Sequence, residues 1–317
     1  MENTLKTDPW LLIEEEFHPE NQLNSESIFS IGNGKIGQTG NFEEFFSGKS
    51  EPKTNISGIY INKSIENSVN RISELSNLPD WTEINVRLNA EMLDLNQCEI
   101  FHFQRSLNLK SGLLERNFEV LTNDNHHIDV SVQRFLSLAQ PEVGIIKYSV
   151  KSIDFIGRIS FIPVIDGNFD NNEPEWNVLQ SKTQKEVAHL WIQTRKSNFQ
   201  VCEAVSYDLI KNNALIKTNP TKIEKQNVAG FSVGTDLKIG DTVCIYKFVA
   251  LLSSLDYPYK ELTSRACDLA IVAKTKGWNE LFEENCSAWE QKWENFESIE
   301  SKEEIYKYFK QFQPGLQ

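Results

Sequence analysis

Asp80-Trp81 and Asp166-Gly167-Asn168 each set a carboxylate beside a group that could hold a sugar, an indole that stacks on a pyranose or an amide that bonds its hydroxyls. Trp176 and Trp191 supply further rings of the same kind. At each place a structural role competes, because aspartate is a frequent turn residue and tryptophan a frequent core residue. Asp and Glu together number 45, so any two could form an acid/base pair of the sort that cleaves glycosidic bonds, and spacing along the chain singles out none. Trp81, Asp80, Asp166 and Trp176 are therefore the carbohydrate-binding candidates, and no residue is named as catalytic.

Other motifs point to chemistry that their context withdraws. Gly32-Asn-Gly34-Lys-Ile-Gly37 has the G-x-G-x-x-G spacing of a dinucleotide-binding turn, which needs a helix opening at once. Gly40 and Asn41 follow instead, and no βαβ alternation surrounds them. The glycines are then expected at a strand connection that requires positive φ or close backbone approach. Gly48-Lys49-Ser50 lacks the first glycine of a phosphate loop, since Glu43 stands in its place. His126-His127 would point to opposite faces of a strand and have no partner at ligand spacing, so no metal site is expected. No G-x-S-x-G elbow is present.

The elements that must position these residues are strands over most of the chain. Period-two runs such as Ile128-Asp-Val-Ser-Val132 and Thr242-Val-Cys-Ile-Tyr-Lys-Phe-Val249 predict antiparallel strands with one face on a core. Turn signals recur at Asn33-Gly34, Asn108 to Gly112, Asp166-Gly167, Asn212-Asn213 and Ile239-Gly-Asp241. Many strands and few helices predict a large two-sheet sandwich over 1–258. After Pro258 the period changes to that of helices over 259–317. Leu262, Ala266, Leu269, Ala270 and Ala273 form one stripe, stopped at Gly277. Trp278, Leu281, Phe282, Trp289, Trp293 and Phe296 form a second. Ser301 with Glu304 makes a capping box for a third, bearing Ile305, Tyr308, Phe309 and Phe312.

Composition narrows the partners. With 39% hydrophobic residues, 7 Trp and 19 Phe, the chain can bury a large core. A net charge of −13 argues against nucleic acid, whose phosphates need a basic face. No run approaches the length of a membrane span and no leader pattern opens the chain, so no membrane contact and a cytoplasmic location are expected. Five scattered cysteines suggest reduced thiols rather than a disulfide framework, and the sequons at Asn55, Asn62 and Asn285 are expected to be chance matches.

Residues 26–44, Glu-Ser-Ile-Phe-Ser-Ile-Gly-Asn-Gly-Lys-Ile-Gly-Gln-Thr-Gly-Asn-Phe-Glu-Glu, closely resemble the opening signature of glycoside hydrolase family 65, which includes maltose, kojibiose and trehalose phosphorylases. In family order follow Ile56 to Tyr60, Asn77-Leu-Pro-Asp-Trp81, Leu107 to Arg116, Gln133 to Ser137, Pro163 to Gly167, and Ala288-Trp289 with Trp293. The resemblance runs from about residue 10 to 296 and implies a galactose-mutarotase-like antiparallel super-sandwich, mainly β, followed by a short α-helical linker. It also implies that the catalytic (α/α)6 barrel, with its glutamate general acid, lies outside this chain, since Glu297 to Gln317 does not resemble the family's continuation.

The expectation is thus a non-catalytic N-terminal domain, inactive alone, of an enzyme acting on an α-glucoside disaccharide or oligosaccharide. It would use no cofactor, inorganic phosphate entering only if the complete enzyme is a phosphorylase, and a homodimer is a further expectation. The alternatives are a stand-alone carbohydrate-binding module with exposed tryptophans and a mutarotase-like enzyme. The helical stripes are expected to be orphaned surfaces that favour self-association.

Overall fold

The computed structural model describes residues 9–64, 71–168, 176–294 and 302–314. Ten antiparallel strands form the main sheet, and its continuous path begins at Leu11–Glu14, Glu99–Asn108, Leu113–Leu121, His127–Leu136 and Val143–Ser152. It continues through Thr242–Ser253, Gln200–Lys211, Ala188–Thr194 and Trp176–Thr183. A second sheet of five strands, Thr221–Lys225, Val228–Leu237, Gly157–Asp166, Ile84–Leu88 and Glu91–Met92, covers its inner face. The strand alternation is regular: Leu114, Arg116, Phe118 and Val120 are all buried and their neighbours only half-buried. Asn212 and Asn213 (φ 48 and 65) and Gly240 (φ 81) take left-handed conformations at turns the sequence marks.

Helices sit where the period changes, with one addition. A short helix α1, Gln22–Ile28, follows a 3-10 turn at Pro19–Asn21, in a stretch whose periodicity does not announce it. Helix α2, Leu262–Glu294, crosses the outer face of the main sheet. Cys202, Ala204 and Ala250 are small, and the helix answers with Ala266 and Ala270, so the layers approach closely. Farther along, Phe135, Ile145 and Phe248 pack with Leu281, Trp278 and Phe282. Gly277 (φ 76) breaks the helical conformation where the sequence stops the first stripe, yet the helix resumes at once. Asn285, wholly buried, accepts from Leu138 N (2.9 Å) and donates to Ser111 O (2.8 Å), a structural role that leaves its sequon no access to glycan chemistry.

Helix α3, Lys302–Lys310, corrects one expectation. Ile305 and Phe309 are buried and Trp289 and Trp293 lie beneath them, so the stripes already have an intramolecular partner and are not orphaned. The predicted cap at Ser301 lies outside the described residues. No helix among the described residues is long and apolar enough to cross a membrane.

Candidate functional site

The four sequence-picked residues meet at one junction between the sheets. Asp80 and Asp166 exchange backbone hydrogen bonds, Asp80 N to Asp166 O at 2.7 Å and Asp166 N to Asp80 O at 2.9 Å. Each carboxylate then serves its own turn. Asp80 Oδ1 accepts from Thr82 N (2.8 Å) and Thr82 Oγ1 (2.6 Å), and Asp166 Oδ1 from Asn168 N and Nδ2 (both 2.7 Å). Trp81 is 0% exposed and lies over Gly144, where a Cβ would come within 2.7 Å of the ring. Trp176 is 1% exposed and donates from Nε1 to Asn77 O at 3.1 Å. An indole covered on every side cannot stack on a sugar, so Trp81 and Trp176 are core rings here and not binding platforms. All seven tryptophans are buried or half-buried.

Beside this junction the sandwich interior holds charges that the strand pattern should exclude. Arg105, Arg116 and Arg134 occupy inward positions on three successive strands, Arg105 directly opposite Arg116. The N-terminal segment supplies their partners. Arg116 grips Glu44 through two bonds of 2.7 Å and also reaches Glu43. Arg134 pairs with Glu43 at 3.0 Å and donates to Thr39 O (3.0 Å) and Asn41 O (3.2 Å). Burial by itself would raise the Glu43 carboxyl, but Arg134 and Arg116 outweigh it and hold the group below its ordinary range. Arg105 contacts Gln22 Oε1 (2.8 Å) and Glu14 (3.3 Å), and burial brings its guanidinium down to about 10.

Farther along the same face, Lys247 and Glu203 are both 0% exposed. Lys247 Nζ donates to Glu83 O (2.8 Å) and Val164 O (2.6 Å), tying the main sheet to the second. Desolvation pulls this amine down to about 7 although Asp80, Glu83 and Glu203 lean the other way. Burial, with Asp166 and Asp80 nearby, pushes Glu83 up to about 8, and its Oε1 accepts from Asn85 Nδ2. Glu203 is raised far above the carboxylate range by burial and has no hydrogen-bond partner at either oxygen, so it stands as a neutral acid.

A near-neutral amine and proton-holding carboxyls are the raw material of acid–base chemistry. Access decides against it for Lys247 and Glu203, which are sealed. Asp80, Glu83 and Asp166 are half-buried, less deeply covered than Lys247 and Glu203, although burial still raises Asp80 and Glu83. Two surface depressions lie away from this junction, at Phe17 with Ile100 and His102, and at Ala139 with Glu280 and Gln291. His126 and His127 separate as expected, the first against the Phe155 ring and the second bonded to Glu119 at 2.9 Å. Among the described residues no group of three or more His, Cys, Asp or Glu is arranged to hold a metal.

The glycine motif has a local explanation. Gly34 is left-handed (φ 86), and a Cβ on Gly32 would lie 2.0 Å from Phe312 O. Both demands concern backbone, not a nucleotide.

Comparison with known proteins agrees with this architecture. The chain is 27% identical to the alpha,alpha-trehalose phosphorylase of Thermoanaerobacter brockii, an alignment covering 87% of this chain and 38% of that protein. It is 25% identical to the maltose phosphorylase of Bacillus subtilis (strain 168), covering 90% and 39% respectively. A solved structure, a putative kojibiose phosphorylase from human microbiome, superposes on 90% of this chain and 38% of its own with a TM-score of 0.81 at 24% identity, which shows the fold. The chain thus spans about two fifths of the length of these relatives. The family model for the N-terminal domain of glycosyl hydrolase family 65 matches residues 12–292, and the chain belongs to that family.

Proposed function

We propose that this chain is the non-catalytic N-terminal domain of an enzyme that processes α-glucosides, and that its task is to give a catalytic domain a rigid surface to dock on. The carrying observation is the family match over residues 12–292 to a domain that makes up about two fifths of trehalose and maltose phosphorylases. The sealing of Lys247 and Glu203 supports the same reading, because groups covered on every side do not meet a substrate, and Lys247 instead ties the two sheets together. In the complete enzyme a neutral carboxylic acid would protonate the glycosidic oxygen while phosphate attacks the anomeric carbon from the opposite face. The substrate class is an α-glucoside disaccharide or oligosaccharide, phosphate is the co-substrate, and no other cofactor is needed. The five free thiols suit a reducing cytoplasm. A free-standing sugar-binding module is the weaker reading, because every tryptophan is at least half-covered, which leaves a stacking platform only to exposed tyrosines such as Tyr60 and Tyr259.

The test is an assay of the purified chain with phosphate and maltose, trehalose or kojibiose. No glucose phosphate above the blank is expected. Turnover that is abolished by changing one carboxylate of the chain would overturn the proposal, Glu83→Gln being the first to try because that carboxyl holds a proton at neutral pH.

A further inference from the structure

Residues beyond the family match make a specific set of contacts with residues inside it. Ile305, Phe309 and Phe312 recur at i, i+4 and i+7 and present one apolar edge. Phe309 stacks on Trp289 with ring centroids 5.3 Å apart, Phe312 meets the same indole edge-on at 5.0 Å, and Tyr308 meets Trp293 at 5.0 Å. Polar contacts fix the register. Gly34 N donates to Phe312 O at 2.9 Å. Gln313, 1% exposed, accepts from Ser30 Oγ (2.9 Å) and donates to Ser30 O. Lys310 Nζ donates to Ser27 O (2.9 Å) and Ser30 Oγ (2.7 Å), placing a cation at the C-terminal end of α1 where helix carbonyls lack partners.

The receiving side is therefore the end of α1, the Gly32–Gly34 turn and the Trp289/Trp293 wall. Its backbone is shaped for an occupant: without a side chain at Gly32, Phe312 O can approach to a distance that any other residue would block. Apolar anchors at helical spacing are the mark of helix-in-groove recognition, and here a main-chain bond from the turn after the helix and a charge on the end of α1 are added to them. All of the receiving residues but Trp293 lie within 12–292, and the whole occupant lies outside.

We infer that this groove is a peptide receptor by which the domain anchors the chain that follows it, and that residues 302–314 are its occupant here. The inference rests on the reading of this chain as an N-terminal domain. It gives the docking function a location, the Ser27–Gly34 and Trp289 groove, and a ligand class, a short helix with aromatic anchors and a lysine before its last ring.

The experiment uses the full chain with a protease recognition sequence placed between Glu294 and Lys302. After cleavage, the fragment from Lys302 onward is expected to stay with the sandwich through gel filtration. A fluorescent synthetic peptide of 302–317, added while the cut protein refolds from urea, is expected to bind saturably. The same peptide with Phe309→Ala and Phe312→Ala should bind at least about tenfold more weakly. Loss of the fragment on cutting, with an unchanged unfolding midpoint of the sandwich, would overturn the inference. So would a labelled peptide that fails to bind, or one that binds equally well without its two rings. An uncut chain that elutes as a dimer, and as a monomer once Phe309 and Phe312 are alanine, would overturn the assignment to the same chain and give the groove to a second copy. Failure of the underlying domain reading shows separately, as disaccharide turnover by the uncut chain.

Discussion

On the inner face of the main sheet, the strands between Glu99 and Leu136 carry Arg105, Arg116 and Arg134 against Glu14, Glu26, Glu43 and Glu44. The strands between Gln200 and Ser253 carry Lys247 among Asp80, Glu83, Asp166 and Glu203, with Arg134 of the first region also acting on Asp80. In the first region ion pairs with Arg134 and Arg116 keep Glu43 ionised although it is wholly covered, while burial raises Glu26. In the second, burial raises Glu83 and Glu203, with neighbouring carboxylates adding to it, and burial also lowers Lys247 against the pull of those carboxylates, so the carboxyls hold protons. The difference shows that the same fold accommodates buried charge in two ways. The second, with Glu83 raised to about 8 and Lys247 lowered to about 7, makes stability depend on pH near neutrality.

Removing a cation from the first region should break the comparison most sharply. Arg116→Met leaves Glu43 and Glu44 facing an apolar group, and a loss of about 3–5 kcal/mol in urea denaturation is expected. Lys247→Met should cost less, about 1–3 kcal/mol, because the carboxyls around it can take up protons while the Glu83 and Val164 carbonyls lose a donor. A loss for Lys247→Met as large as that for Arg116→Met would erase the distinction.

A pH series sharpens it further. Glu83 has a folded value of about 8 against 4.5 ordinarily, so the folded chain holds an extra proton between those limits. Its contribution to stability is complete below about 4.5 and is lost as pH rises through 8. Lys247, lowered from 10.5 to about 7, works in the opposite sense: its contribution is present above 10.5 and is lost as pH falls through 7. Stability is therefore expected to decline from pH 5 towards neutrality and to recover in alkali. Glu83→Gln should flatten the acidic limb in denaturation curves at pH 5 and pH 8. A variant that keeps the full slope would show that other carboxyls set it.

The smallest effect is expected at Glu203. As a neutral acid without hydrogen-bond partners it contributes no pairing, so Glu203→Leu should change stability by less than about 1 kcal/mol or raise it. Thermal unfolding of this variant beside Glu43→Leu, expected to be strongly destabilised, compares one substitution in the two settings.

Part of this contrast is legible in the chain itself. Arg116 falls between Leu114 and Phe118, Arg134 between Val132 and Leu136, Glu203 between Val201 and Val205, and Lys247 between Ile245 and Val249. At period two those are inward positions, and a charged residue among them is by itself the mark of an interior network. The partners leave no such mark, since Glu43 and Glu44 sit outside any strand and are two among 45 carboxylates. The tryptophans are ambiguous for a related reason: an indole beside an aspartate reads the same whether its faces meet solvent or Gly144 and Gly167.

Strand alternation, the change of period after Pro258, the break at Gly277 and the family signature were all determined by the sequence alone, because each depends on residues a few positions apart. The tertiary structure decided which segments become neighbours. Asp80 finds Asp166, Glu43 finds both Arg116 and Arg134, and Gly34 finds Phe312 across nearly the whole chain. Those pairings decide whether a carboxyl is ionised, whether an indole can touch a ligand and whether an apolar helix face is orphaned. Local periodicity fixes the direction in which a side chain points; only packing fixes what lies there to meet it.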